Sequence, residues 1–93
     1  MIIYDLEMTT TEAKPITLQV LDLQDGEEVS SASATHTPPG GSPLTINPTV
    51  ETPYVNMVFG PFGVAGFHFI VVQAVGNAAE PSKPEAVYCI KVR

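Results

Sequence analysis

The final third of the chain, GFHFIVVQAVGNAAEPSKPEAVYCIKVR (66–93), constrains the fold more than any other stretch, because it reads as two long strands joined by a polar turn. In the first, from Gly66 to Val75, Phe67, Phe69 and Val71 alternate with His68, Ile70, Val72 and Ala74, so both faces are apolar. That pattern predicts a central strand covered on both sides, one face filling the core and the other meeting a partner or the amino-terminal segment. In the second, Ala86 to Arg93, the set Tyr88, Ile90 and Val92 alternates with Cys89, Lys91 and Arg93, and the first set is expected inside. A domain closing on such a strand points to a β-sandwich or barrel. The stretch holds no nucleophile with its base, no metal-ligand spacing and no phosphate-cradling glycine loop.

The rest of the chain carries the same period. Ile2, Tyr4, Leu6 and Met8 fall on alternate positions with Asp5 and Glu7 between them. Residues 1–14 are therefore read as an N-terminal arm, either an edge strand on its own sandwich or a segment laid across a neighbour; residues 15–93 form the domain. Ile16, Leu18 and Val20 continue the alternation, and Asp25-Gly26 marks a turn. Glu27 to Thr37 follows as a strand whose Ala32, Ala34 and His36 share a thin face that something bulky must cover. The run TPPGGSP (37–43) is a loop, since proline lacks the ladder donor and glycine loses too much entropy in a strand. Leu44 to Val50 reads as one short strand that Pro48 confines to an edge or bulge. After Pro53, the residues Val55, Met57 and Phe59 oppose Tyr54, Asn56 and Val58, and Gly60-Pro61-Phe62-Gly63 is a turn. The expected fold is all-β, an immunoglobulin-like Greek-key sandwich of about seven strands with no helical periodicity.

Ninety-three residues make one domain, which buries about two-thirds of the surface its unfolded chain exposes. An apolar content of 44% against a charged content of 15% exceeds what one small core easily hides, so part of the surplus is expected at a protein interface. The residues assigned to it are Ile2, Tyr4, Leu6 and Met8 of the arm and Phe59, Phe62, Phe67 and Phe69 around the glycine-proline turn. Cys89, the single cysteine, excludes an internal disulfide. The net charge of −6 is uneven: Asp5, Glu7, Glu12, Asp22, Asp25, Glu27 and Glu28 face only Lys14 before Val29. An acidic end of this kind argues against nucleic acid or an anionic membrane as partner. The opening MIIYDLEMTTTEA lacks the basic flank and apolar block of a signal peptide, so a soluble chain beginning at Met1 is expected.

Two stretches carry a family resemblance. DGEEVSSASATHTPPG (25–40) resembles the segment of turn, Gly-Glu, alternating Ser/Thr strand and Pro-Gly found in short immunoglobulin-like proteins encoded among tailed-phage structural genes, and EAVYCIKVR (85–93) resembles their closing strand. The chain departs from that pattern in having no tryptophan, in Ala34 where a large residue is usual, and in the apolar GPFGVAGF stretch. The resemblance implies a virion protein assembled in the host cytoplasm, a capsid-decorating or other accessory subunit without enzymatic activity. It would bind a capsid or other virion protein or further copies of itself. The competing expectation is a bacterial immunoglobulin- or fibronectin-like module that recognises a carbohydrate or a cell surface.

Other candidate sites have ordinary readings. His36 and His68 suit metals or proton transfer, but they lie far apart in the chain and fit no ligand spacing, so each is expected simply to occupy a strand position with a hydrogen-bonded ring. Asp22, Asp25, Glu27 and Glu28 around Gly26 have oxygens that suit calcium, yet they match no twelve-residue calcium loop, and a solvated turn is the expectation. Cys89 has only Lys91 on its face to lower its pKa. Pro48 blocks glycosylation at Asn47. No catalytic residue, metal site or cofactor is assigned.

Overall fold

The computed structural model describes residues 2–93. The described residues form eight strands and no helix: β1 (Ile2–Met8), β2 (Lys14–Gln19), β3 (Val29–Thr37), β4 (Leu44–Ile46), β5 (Thr49–Glu51), β6 (Tyr54–Phe59), β7 (Gly66–Gly76) and β8 (Glu85–Val92). They make a five-stranded sheet in the order β1-β8-β7-β3-β4 and a three-stranded sheet in the order β2-β6-β5. Without a helix, none of the described residues forms one long and apolar enough to cross a membrane.

The core lies between the sheets. Val55, Met57 and Phe59 project inward from β6, and they meet Ile70, Val72 and Ala74 of β7 and Tyr88, Ile90 and Val92 of β8. Alternation decides these sets, because a strand puts successive side chains on opposite faces. Tyr88 joins three elements: its ring stacks on Tyr4 of β1 at 4.8 Å and meets the edge of Phe59 at 5.0 Å. Burial first, and Tyr4 second, push the Tyr88 hydroxyl up to about 12, so it stays a neutral donor at every physiological pH.

Four features refine or correct the sequence expectations. The segment from Leu44 to Val50 is not one strand: β4 pairs with β3 in the large sheet, whereas β5 pairs with β6 in the small one. Pro48 sits between them, where its missing N–H interrupts the ladder and the chain changes sheets, so the strands number eight rather than about seven. Secondly, β3 begins at Val29, leaving Glu27 and Glu28 in the preceding turn.

The third feature gives the amino-terminal segment the first of its two expected placements. β1 runs parallel to β8 in unbroken register from Ile2↔Ala86 to Met8↔Val92, so residues 2–8 are an edge strand of their own sheet. The closing residue fastens that edge: the Arg93 backbone N–H donates to the Met8 carbonyl at 3.0 Å, and its guanidinium grips Glu7 through Nη2–Oε2 (2.7 Å) and Nε–Oε1 (2.9 Å). Arg93 holds the Glu7 carboxyl below its ordinary value, although the pair is solvent-exposed and stabilises little. Fourthly, the segment does not cover the outer face of β7. It lies in the plane of the sheet beyond β8, because parallel pairing satisfies its backbone there.

At the opposite end of the sheets, Glu27 ties two turns together. Its Oε1 accepts the Gln24 N–H at 2.9 Å, and its Oε2 accepts those of Ser82 at 3.0 Å and Ala78 at 3.4 Å. These donors, Gln24 foremost, hold the carboxyl at about 2. Gly76 makes room for it, since a Cβ at that position would overlap the Glu27 carboxylate.

Candidate functional site

Three adjoining cross-strand rows make up the larger part of the outward face of the five-stranded sheet. Ile3, Val87, Val71 and Thr35 form one; Asp5, Cys89 and Phe69 the next; Glu7, Lys91 and Phe67 the third. Period two places these residues opposite the core set on every strand at once, which is why one face collects them. Ile3 is 64% exposed, Phe67 60%, Phe69 44% and Val71 39%. Between Phe67 and the charged row runs an open groove of about 310 Å³, lined by Asp5, Leu6, Glu7, Phe67, Cys89 and Lys91. The face is thus an apolar strip edged by charge.

Of the eight residues assigned to an interface from the sequence, the structure exposes Phe67 and Phe69 and places them two residues apart on β7. The others take different positions. Met8 is 2% exposed and Phe59 0%, so neither offers surface; both sit in the inward phase of their strands. Ile2, Tyr4 and Leu6 share the inward phase of β1 with Met8 and are half-buried against the sandwich. Phe62 is half-buried and lies on the two histidines. Ile3 and Val71 complete the exposed strip. The polar neighbours Asp5 and Glu7 show that Ile3 shares the outward side of β1, and this signal was legible.

A second, larger groove of about 530 Å³ lies on the other sheet, lined by Pro15, Thr17, Ile46, Asn47, Thr49, Asn56, Met57 and Val58. Thr17, Asn47, Thr49 and Asn56 bring hydroxyl and amide groups to a lining that is otherwise apolar, and Thr17 Oγ1 donates to Asn56 Oδ1 at 2.8 Å.

His36 and His68, far apart in sequence, come together in the interior. Nε2 of His36 lies 2.7 Å from Nδ1 of His68, whose Nε2 lies 2.7 Å from the Val64 carbonyl oxygen. Phe62 covers both rings, 4.6 Å from His36 and 4.8 Å from His68 between centroids. It covers the His36 end of the thin face that Ala32, Ala34 and His36 share. Each histidine does have a hydrogen-bonded ring, but the partner is the other histidine. The sequence signal was their shared phase: His36 follows Ala32 and Ala34, and His68 precedes Ile70 and Val72. Burial, and then the neighbouring His68, hold His36 below the ordinary imidazole value, so it is neutral at pH 7.

The acidic turn does not converge. Glu27 spends its oxygens on backbone N–H groups, and the Glu28 N–H is bound by Asn77 Oδ1 at 2.9 Å. Among the described residues no group of three or more His, Cys, Asp or Glu side chains is placed to hold a metal ion. Cys89 is half-buried on the outer face between Asp5 and Phe69.

No protein-family model and no curated protein matches the chain. Among solved structures the chain is similar to a protein from Bacteroides vulgatus described as a "putative glycoside hydrolase", with 13% identity and a TM-score of 0.51. The match covers 96% of this chain and 16% of the other, so it speaks for the fold of one module within a much larger protein.

Proposed function

We propose that this chain is a non-enzymatic structural protein, an immunoglobulin-like Greek-key domain that binds other protein subunits, as an accessory or capsid-decorating component of a phage particle. The observation that carries the reading is the exposed strip of Ile3, Phe67, Phe69 and Val71 on one sheet face. Apolar residues collected on one surface mark protein interfaces, whereas scattered ones need no explanation. The strand orders β1-β8-β7-β3-β4 and β2-β6-β5 support the Greek key, and the phage role rests on the two resembling stretches, 25–40 and 85–93.

The sheet edges favour the same surface. β4 and β5 have three residues each and β2 contains Pro15, all features that discourage strand addition. β1 is seven residues long with neither proline nor glycine, and it borders the strip through Ile3. A partner strand added to β1 would extend both the ladder and the apolar face.

A double substitution, Phe67→Ser with Phe69→Ser, tests the reading. A defined oligomer by native mass measurement, or co-purification with a shell protein, should be lost in the variant while its circular dichroism stays that of the wild type. A wild-type chain that is monomeric and retains no shell protein, or an assembly indifferent to both substitutions, overturns it. Deleting residues 1–10 is the poorer test, because it removes Met8 from the core.

The second reading is a binding module for carbohydrate. It is favoured by the hydroxyl- and amide-lined groove at Thr17, Asn47, Thr49 and Asn56, and the name of the Bacteroides vulgatus protein is in keeping with it. Glycan binding by the monomer, abolished by Asn56→Ala, would select it over the first.

A further inference from the structure

The end of the sandwich where β7 begins is closed by His36, His68 and Phe62, and the hydrogen-bond directions there follow from elementary chemistry. A carbonyl oxygen can only accept, so the 2.7 Å contact to Val64 requires a proton on Nε2 of His68. Nδ1 of a neutral His68 is then bare, and the 2.7 Å contact to His36 requires His36 to donate from its own Nε2. The pair is a directed chain, from His36 to His68 to the loop backbone. His68 is fully buried, and both of its nitrogens are engaged.

This order makes two successive protons unequal. The first can settle on Nδ1 of His36, the nitrogen that takes no part in the chain. Every existing hydrogen bond survives, the donation to His68 becomes charge-assisted, and the Phe62 ring, 4.6 Å away, faces the new cation. The second proton has only Nδ1 of His68 left to take. Two N–H donors and two positive rings would then confront each other across a 2.7 Å gap in a buried site.

The surrounding groups offer no relief. His36 has Ile70 and Leu44 as cross-strand neighbours, His68 has Ile90, and the loop presents Phe62 and the Val64 backbone. The charged groups of the segment leading into β2 have other places. Glu12 accepts the Thr9 N–H at 3.3 Å, and Lys14 sits opposite Phe59 at the start of β2. The titratable group that bears on His36 is His68 itself.

We propose that the His36–His68 pair is an acid-operated latch on the 60–65 loop: it accepts one proton without moving, and the second separates the rings and releases Phe62 and the loop. The geometry of the pair carries this inference, and the interface reading does not enter it.

The experiment follows both imidazole rings by NMR from pH 7.5 downward, together with the exchange protection of the Gly63 amide, which donates to the Thr10 carbonyl at 3.1 Å. One ring should titrate with Gly63 protection unchanged. A second step at lower pH should coincide with a loss of that protection by about tenfold or more, while the amides of the β7–β8 ladder stay protected. His36→Gln brings no second positive ring, and its amide can offer an N–H to bare Nδ1 of His68 or turn its Oε1 to a protonated one, so its Gly63 protection should stay flat while those ladder amides stay protected. Two rings titrating independently at the ordinary imidazole value with an unmoved loop would overturn the proposal, as would a His36→Gln loop that opens as in the wild type. Should that variant fail to fold, the two-step record of the wild type decides alone.

Discussion

The two faces of β7 are nearly matched in apolar content and opposite in fate. His68, Ile70, Val72 and Ala74 are buried, with Ile70 and Val72 at 0% exposure, while Phe67, Phe69 and Val71 lie open at 60%, 44% and 39%. One of two apolar faces is thus left in water. Hydrophobicity alone therefore does not select the inward side. Two other requirements do: β3 and β8 must present their own inward sets, Ala34 with His36 and Tyr88 with Ile90, in register with it. The smaller face lies between the two sheets, and the two phenylalanines stay on the exposed surface.

Substitutions on the two faces should differ widely, and the largest effect is expected inside. Ile70→Ala should cost about 2–5 kcal/mol in a denaturant titration, because the loss combines transfer and cavity terms. A cost under about 1 kcal/mol would mean that the inner face is not the packed one. Next comes the end of the same strand. Gly76→Ala should displace the Glu27 carboxylate, lower the thermal midpoint, and remove the acid sensitivity that Glu27 confers between pH 4.5 and about 2. An unchanged midpoint would show that the Glu27 clamp holds nothing.

Acidification gives a smaller effect whose sign can be worked out. His36 is held below 6.5 in the folded chain, so the unfolded chain binds more protons in that window. Its contribution is complete above pH 6.5 and is lost as the pH falls through the folded value. Glu27, also depressed, contributes fully above 4.5 and loses this as the pH approaches about 2. Denaturation midpoints measured from pH 7.5 down should therefore fall in two limbs, and His36→Gln should abolish the upper one. A rise in stability on acidification would refute both assignments. The smallest effect belongs to the outer face: Phe67→Ser and Phe69→Ser should each change the stability of a dilute monomer by no more than about 0.5 kcal/mol. A loss that grows with protein concentration would instead identify a second copy as the cover.

Much of the fold was legible because alternation is visible one residue at a time. The inward sets of β6 and β8, the turn at Asp25-Gly26 and the loop TPPGGSP could be read without any knowledge of partners. The site was legible by halves. Phe67 and Phe69 stood out as surplus, but Met8 and Phe59 looked equally surplus until their strands were paired, and Phe62 gave no sign that its partners would be imidazoles. The division of 44–51 between two sheets was hidden for a similar reason. Pro48 announces an interruption, yet whether the chain then bulges or crosses depends on which strand is waiting on the other side.

From the order of its residues alone, this chain is determined to be strands joined by glycine- and proline-rich turns, without a disulfide and with acid gathered toward its amino-terminal part. The preference of a residue for the pleat and the reversal of side from each residue to the next are local properties, written in the chain itself. Which side of β7 points inward, that His36 meets His68, that Glu27 finds Ser82, and that Ile3 joins Val71 in one strip were decided only by the tertiary structure. Those contacts bring together residues that are distant along the chain, and their free energy exists only once the sheets have chosen their partners and register.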